Sequence, residues 1–167
     1  MEFVVRHLRD SDVEPIVNLI YNTVHTINSK DYNVDQVNAW APTLSADEQH
    51  DRTHQLHAAL RENICFVADY GGIVVGFADI ADDGYLDHLY VHSDYQGQGI
   101  ASRLIALVEE AMRELGVYTL TTHASITAKT FFEAQGYLTI HPQTVMVRGV
   151  SMTNFKMVKS LNGAKTE

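Results

Sequence analysis

The chain of 167 residues holds a single cysteine, Cys65. One thiol forms no internal disulfide and cannot build a cysteine-based zinc site, so a reducing cytoplasm is the expected setting. Basic residues are also scarce: 12 Lys and Arg stand against 21 Asp and Glu, a formal net charge of −9. That balance disfavours nucleic acid and anionic membrane surfaces, both of which are bound through basic patches. It is compatible with a cationic substrate such as an amine. No apolar run is long enough to cross a bilayer. The opening residues scatter Glu2, Arg6, His7, Arg9 and Asp10 among apolar positions, so no export signal is expected there. Internal repeats and low-complexity stretches are lacking too. One domain over residues 1–167 is expected, with its core at about 3–159 and a frayed C-terminal tail.

What is present is alternation followed by helical periodicity. Phe3, Val5 and Leu8 suggest a short first strand. Ser11 and Glu14 have capping-box spacing, and Ile16, Val17, Ile20 and Val24 continue as a helical stripe. Residues 28–46 are ambiguous, with a break at Asn28 and Ser29 and a short helix ended by Ala41-Pro42. Ser45 opens a helix to about Arg61, with Leu56, Ala59 and Leu60 inward. Strands follow at 64–69, 73–80 and 85–91, joined by turns at Gly71-Gly72 and at Asp82 to Gly84. A long helix after Gly99 carries Ile100, Leu104, Leu107, Val108, Ala111 and Leu115, and stops at Gly116. A strand at 118–122, a helix at 126–135 ended by Gly136, and strands at 137–146 and 151–159 complete the order. The pattern predicts a mixed α/β (α+β) domain with helices on both sheet faces.

The segment Asp94 to Ala101, Asp-Tyr-Gln-Gly-Gln-Gly-Ile-Ala, interrupts the antiparallel series with a strand-to-helix turn. Gly97 and Gly99 let the chain turn tightly and let a ligand approach the main chain. A helix starting near Gly99 aims unpaired N–H groups and its positive dipole end at the turn, which suits a phosphate. Gln96 and Gln98 add neutral donors. Two familiar phosphate loops are excluded. The G-x-x-x-x-G-K-S/T sequence is absent, and the third glycine and following acidic residue of a dinucleotide fingerprint are missing.

The run Leu89 to Ala101 resembles the acyl-CoA-binding motif of the GCN5-related N-acetyltransferase (GNAT) superfamily, in which Gln or Arg is followed by two residues, Gly, one residue, then Gly or Ala. Gln96, Gly99 and Ala101 match it. Ser125, Ala128, Phe131, Phe132, Glu133, Gly136 and Tyr137 resemble a second motif of the family on the other side of the cofactor. The resemblance implies a central, mostly antiparallel, twisted sheet of about seven strands, splayed at the acyl-CoA site. It implies an N-acyltransferase that moves an acetyl group from acetyl-CoA directly to an amine of a small molecule or peptide. A CoA-binding regulatory or sensor domain without catalysis is the alternative.

The same resemblance assigns residues. Gln96, Gly97, Gln98, Gly99, Ile100 and Ala101 would hold the pyrophosphate, and the backbones of Leu89 and Val91 the pantetheine arm. The Val91 N–H would polarise the thioester carbonyl as charge develops on its oxygen. Ser125 would contact the phosphates or cap the following helix, and Phe131 would pack on the cofactor side. Asp87 and His88 are the candidate general bases; strand alternation puts Asp87 in phase with Leu89 and Val91, and His88 in phase with Tyr90, so one of the two should face the acceptor. Many relatives carry a Tyr where this chain has Phe132, which cannot protonate a departing thiolate. The family also makes a homodimer through the final strands compatible.

Acceptor contacts are expected from the early helices and the Gly76 to Tyr85 hairpin, with Tyr21, His25, Trp40, Asp79 and Tyr90 as candidates. His50, His54 and His57 share a helix face, but acyl transfer needs no metal and none is expected. Cys65, opening an apolar strand, reads as buried packing rather than a nucleophile.

Overall fold

The computed structural model describes residues 2–161. The elements run β1 (Val4–His7), α1 (Val13–Thr26), α2 (Val34–Trp40), α3 (Ala46–Glu62), β2 (Ile64–Tyr70), β3 (Ile73–Ile80), β4 (Tyr85–Val91), α4 (Ile100–Glu114), β5 (Thr119–Ser125), α5 (Lys129–Ala134), β6 (Leu138–Val147) and β7 (Val150–Ser160). The strands form one seven-stranded sheet in the order β1-β2-β3-β4-β5-β7-β6. Every pairing is antiparallel except β4 with β5. The mixed α/β architecture is the one the sequence led us to expect. Of the tail expected to fray after about 159, Ser160 ends β7 and Leu161 is buried with its N–H on the Tyr118 carbonyl at 2.7 Å, whereas 162–167 lie outside the described residues. Among the described residues no helix is long and apolar enough to cross a membrane.

Each sheet face carries its own core. Phe66, Ala68, Leu86 and Val91 pack with the α4 residues Ile100, Leu104, Ile105, Val108 and Met112 and with Phe132 of α5. Cys65, Val67 and Phe77 pack on the other face with Ile16, Ile20 and Val24 of α1 and with Leu56 and Leu60 of α3. Because β2 is covered on both faces, its Ile-Cys-Phe-Val-Ala run is continuously apolar rather than alternating.

Local chemistry sets most helix starts. Ser45 and Glu48 exchange hydrogen bonds of 3.2 and 2.9 Å to open α3, and Asn33 and Gln36 do the same for α2 at 2.9 Å each. The box expected at Ser11 and Glu14 does not form. The Asp12 carboxylate accepts from the Arg9 N–H at 2.7 Å instead, and Arg6 clamps it with bonds of 2.8 and 2.9 Å. The α4 stripe also shifts: Leu115 is exposed, whereas Ile105 and Met112 are buried. Leu115 is the C-cap, and Gly116 follows at φ 75, so the chain has already turned away from the core. Ala59, expected inward on α3, is exposed. The helix expected at 126–135 starts only at Lys129, because the Ala128 N–H closes a turn on Ser125 Oγ at 3.0 Å.

Candidate active site

The sheet opens between β4 and β5. These strands pair only through Tyr85 with Thr121 and Leu86 with Thr122, after which β5 follows β7 along its whole length. Gly84 fastens the closed end: its carbonyl accepts from the Thr121 N–H at 3.0 Å. A Cβ on Gly84, whose φ is +98, would stand 2.4 Å from the Thr119 carbonyl oxygen, so only glycine permits this approach. At the open end β4 is drawn toward α1. Thr23 Oγ1 donates to the Val91 carbonyl at 2.9 Å, and the Ser93 N–H donates to Asn22 Oδ1 at 3.1 Å.

The opening exposes main-chain polar groups. The His92 N–H donates to the Val75 carbonyl at 2.8 Å, so the opposed residues Gly76 and Val91 form a pair whose own N–H and C=O groups point away from each other. Val91, and by the same alternation Leu89, therefore turn their backbone polar groups from β3 toward the gap. The Val91 carbonyl is taken by Thr23 and by Gln96 Nε2, the latter at 2.8 Å. Its N–H is the group left facing inward.

A cavity of about 230 Å³ passes through this gap. Asp87, His88, Leu89, Tyr90 and Val91 line it from β4, and Ser125, Ala128 and Phe131 from the β5–α5 side. Asp87 and His88 both reach it, contrary to the expectation that strand alternation would choose one. The ladder slips here: Asp79 opposes His88 but Ile80 opposes Leu86, leaving Asp87 as the extra residue of a bulge. Strict alternation does not survive that insertion.

His88 has the more extensive contacts of the two. Its Nδ1 lies 2.8 Å from Asp79 Oδ1, while Asp79 Oδ2 accepts from Asn63 Nδ2 at 2.9 Å. Asp79 is fully buried, so these contacts replace its lost water. Asp87 Oδ2 lies 3.8 Å from the same ring nitrogen. Burial works to lower the His88 pKa, but the Asp79 hydrogen bond and the charges of Asp79 and Asp87 outweigh it and hold the imidazole above its usual range. With Nδ1 engaged by Asp79, Nε2 has no partner among the described residues. Asp79 was expected on the acceptor side. It does not line this cavity, because its carboxylate is fully buried beneath His88. Its contacts are with His88 and Asn63.

The glycine turn leads from β4 to α4. Gly97 and Gly99 have φ of +72 and +82, and no heavy atom lies within 4 Å of where a Cβ would stand. Gly99 is the N-cap of the 15-residue α4, so the first N–H groups of that helix open onto the turn. Gln98 is exposed, and the Gln96 amide bonds back to β4 instead of reaching outward. The Ile100 side chain is core, which leaves its main chain as the part available to a ligand. Ala101 lines the cavity.

On the α1 side of the gap, Tyr90 and Trp40 meet through a 3.0 Å bond from Trp40 Nε1 to the Tyr90 hydroxyl. Burial pushes that hydroxyl up to about 12, against the opposing effect of the Trp40 bond. Tyr21 faces a second cavity, bonded to Thr43 at 3.1 Å and stacked on His25. Two contributors escaped sequence reading. Thr23 gave no signal beyond a polar residue in an apolar helix stripe. The Tyr32 hydroxyl accepts from the Ile126 N–H at 2.9 Å and donates to the Thr153 carbonyl at 2.7 Å, bracing the β5–α5 turn from a segment whose sequence was ambiguous.

Other candidates fall away from the site. His57 bonds Asp10 at 2.9 Å, and His50 packs edge-on against His54. Cys65 is buried, and burial pushes its thiol well up, away from thiolate chemistry. Phe132, by contrast, stays in the cavity wall, buried and packed edge-on against Tyr137.

Residues 28–159 match the family model described as the acetyltransferase (GNAT) domain. An uncharacterised N-acetyltransferase of Escherichia coli K12, YafP, is 31% identical over 153 residues, covering 92% of this chain and 93% of that protein. A GCN5-related N-acetyltransferase of Rhodopseudomonas palustris superposes with a TM-score of 0.86 at 28% identity, covering 96% of this chain and 97% of that one. The PaiA N-acetyltransferase of Thermoplasma acidophilum, solved in complex with coenzyme A, shares the fold at a TM-score of 0.73 and 16% identity, covering 96% and 99%.

Proposed function

The chain belongs to the GNAT acetyltransferase family, and on that footing we propose that it transfers an acetyl group from acetyl-CoA to the nitrogen of an amine acceptor. The observation that carries this reading is one cavity in which the backbone polar groups of Leu89 and Val91 meet a histidine buttressed by a buried carboxylate.

The residues present fit the cofactor. The open turn at Gly97 and Gly99, with the first N–H groups of α4 behind it, suits a pyrophosphate. The strand-like main chain at Leu89 and Val91 suits an extended arm that carries amides. Ser125 Oγ accepts from the Ala128 N–H in closing the turn before α5, which leaves its O–H to donate to a phosphate, and Phe131 offers an apolar wall. When bound, acetyl-CoA supplies an acetyl carbon on a thioester whose C–S bond breaks as the C–N bond forms, releasing CoA thiolate.

The chain's own part is orientation, proton removal and charge stabilisation. His88 Nε2 takes the proton from the acceptor nitrogen, and Asp79 fixes the ring through Nδ1 and stabilises the imidazolium that results. The Val91 N–H donates to the carbonyl oxygen as negative charge gathers there. Asp87, at the rim, adds a negative charge that favours a protonated His88. No acid stands at Phe132, and Tyr137 is buried with its hydroxyl pushed well up by that burial. Neither residue supplies a proton to the departing thiolate.

The test is a screen of small amines, amino sugars and peptides with acetyl-CoA, reading free CoA and product mass. Acceptor-dependent release of CoA with a matching acetylated product is expected. CoA binding without transfer to any acceptor would favour a sensor domain, and absence of CoA binding would overturn the reading.

A further inference from the structure

Beyond Trp40 lies a second cavity of about 230 Å³, enclosed by α1, the α2–α3 connection, α3 and the turn between β6 and β7. Trp40 lines both cavities, so the two are neighbours across one indole. Resting on the acetyl-transfer reading, we infer that this second cavity holds an anionic group of the acceptor, which is thus an amine that also carries a carboxylate or a phosphate-like group, bound by Arg52 and Arg148.

The charge of the lining is the first argument. Acidic residues outnumber basic ones by 21 to 12 in the chain, yet no Asp or Glu lines this cavity while two arginines do. The overall negative charge, which suited a cationic acceptor, is reversed at the place where selection would occur.

The second argument is that neither arginine is neutralised. Among the described residues no carboxylate stands within ion-pair distance of Arg52 or Arg148. Arg52, on α3, is half-buried. A guanidinium withdrawn from water without a counter-ion is costly, and its planar fork matches a carboxylate or phosphate through two parallel bonds. Arg148 is held in place. It is the only non-glycine residue with positive φ among the described residues, at φ 46, and it donates to the Ala39 carbonyl at 2.7 Å. A bulky residue in the left-handed region is strained, and this one is secured across the fold to the segment beside Trp40. One donor is spent there, and the remainder of the fork stays available.

Position supplies the third argument. Arg52 opposes the pKa rise at both His88 and Tyr90, which puts its charge within Coulombic range of the gap. An acceptor with its amine at His88 and an anion a few bonds away spans the two cavities past Trp40. The Tyr21 and Thr43 hydroxyls, bonded to each other at 3.1 Å, supply neutral polar contacts in the same cavity.

The experiment compares matched acceptors with acetyl-CoA: amino acids, their carboxamides and the corresponding aminophosphonates. We expect kcat/KM for at least one anionic series to exceed that of the matched amides more than tenfold. Carboxylate and phosphonate arms distinguish the two sources of anion. Arg52→Gln should bring the anionic-to-amide ratio close to one, chiefly through KM, while CoA affinity and melting temperature report an intact fold. Arg148→Gln should lower the ratio less, because part of that side chain serves Ala39. Titration with N-acetylated amino acids, read calorimetrically, tests the cavity without turnover: wild type should bind and Arg52→Gln should bind at least tenfold more weakly. Amides equal to or better than the acids, or N-acetylated acids binding both proteins alike, would overturn the inference. Anion binding lost in Arg52→Gln without any acetyl transfer would uphold the cavity assignment and overturn the catalytic reading instead.

Discussion

On the α4 side of the sheet gap the polar groups come from the main chain: the N–H groups at the start of α4 behind Gly97 and Gly99, and those of Leu89 and Val91 on β4. On the α1 side they come from side chains: His88, Tyr90, Trp40 and, beyond the indole, Arg52. A main-chain site depends on backbone conformation and tolerates drift in its neighbours. A side-chain site depends on which residues several separate segments bring together. The first construction suits the pyrophosphate and amide arm of the proposed cofactor, and the second suits discrimination among acceptors in the proposed reaction.

The difference can be broken from either side. The largest effect is expected on the side-chain half. His88→Ala should lower kcat by about 10²–10⁴-fold, the usual contribution of a general base, while CoA affinity measured by calorimetry stays at the wild-type value. On the main-chain half, Gly99→Val forces a β-branched residue to φ +82, which strains the turn, and puts its side chain into the open space where a phosphate would lie. CoA binding should weaken about 10–100-fold, the loss of one to two bonds to a charged phosphate, with a smaller change in melting temperature.

Asp79→Asn tests the coupling behind His88. Because Asp79 helps to raise the His88 pKa, activity should fall as pH drops through a value above the ordinary 6.5, and the substitution should move that acid limb to lower pH. The sign for stability is fixed by the same shift. A histidine whose folded pKa is raised stabilises fully below its unfolded value and loses that contribution as pH rises through the folded one. Urea denaturation should therefore show a greater loss in Asp79→Asn at pH 6 than at pH 9. The smallest effect belongs to Thr23→Val, which removes the 2.9 Å bond to the Val91 carbonyl but leaves that of Gln96. It should cost about 1 kcal/mol in stability, read from the urea midpoint, with only a few-fold change in KM.

Legibility in the sequence followed the same division. The order of strands and helices was readable because hydrophobic period and turn glycines act over a few residues, as at Gly71-Gly72 and Ser45. The errors were local competitions: Asp12 displaced Ser11 at the start of α1, and Leu115 left the stripe where α4 ends. Asp87, His88 and Trp40 were recognisable as candidates, but Asp79 was assigned to the acceptor when its carboxylate is sealed beneath His88. Arg52 and Arg148 gave no signal at all, lying 96 residues apart (148 − 52) on a helix and a hairpin turn.

By itself the sequence determined the glycine turn and the helix behind it, because a left-handed backbone and a free helix end are properties of neighbouring residues. Only the tertiary structure decided that His88 rests on Asp79, that Asp87 stands out on a bulge, and that two unneutralised arginines face the far side of Trp40. Those facts depend on strand register and on segments meeting in space, and a one-residue slip in the pairing of β3 with β4 would have erased the first two.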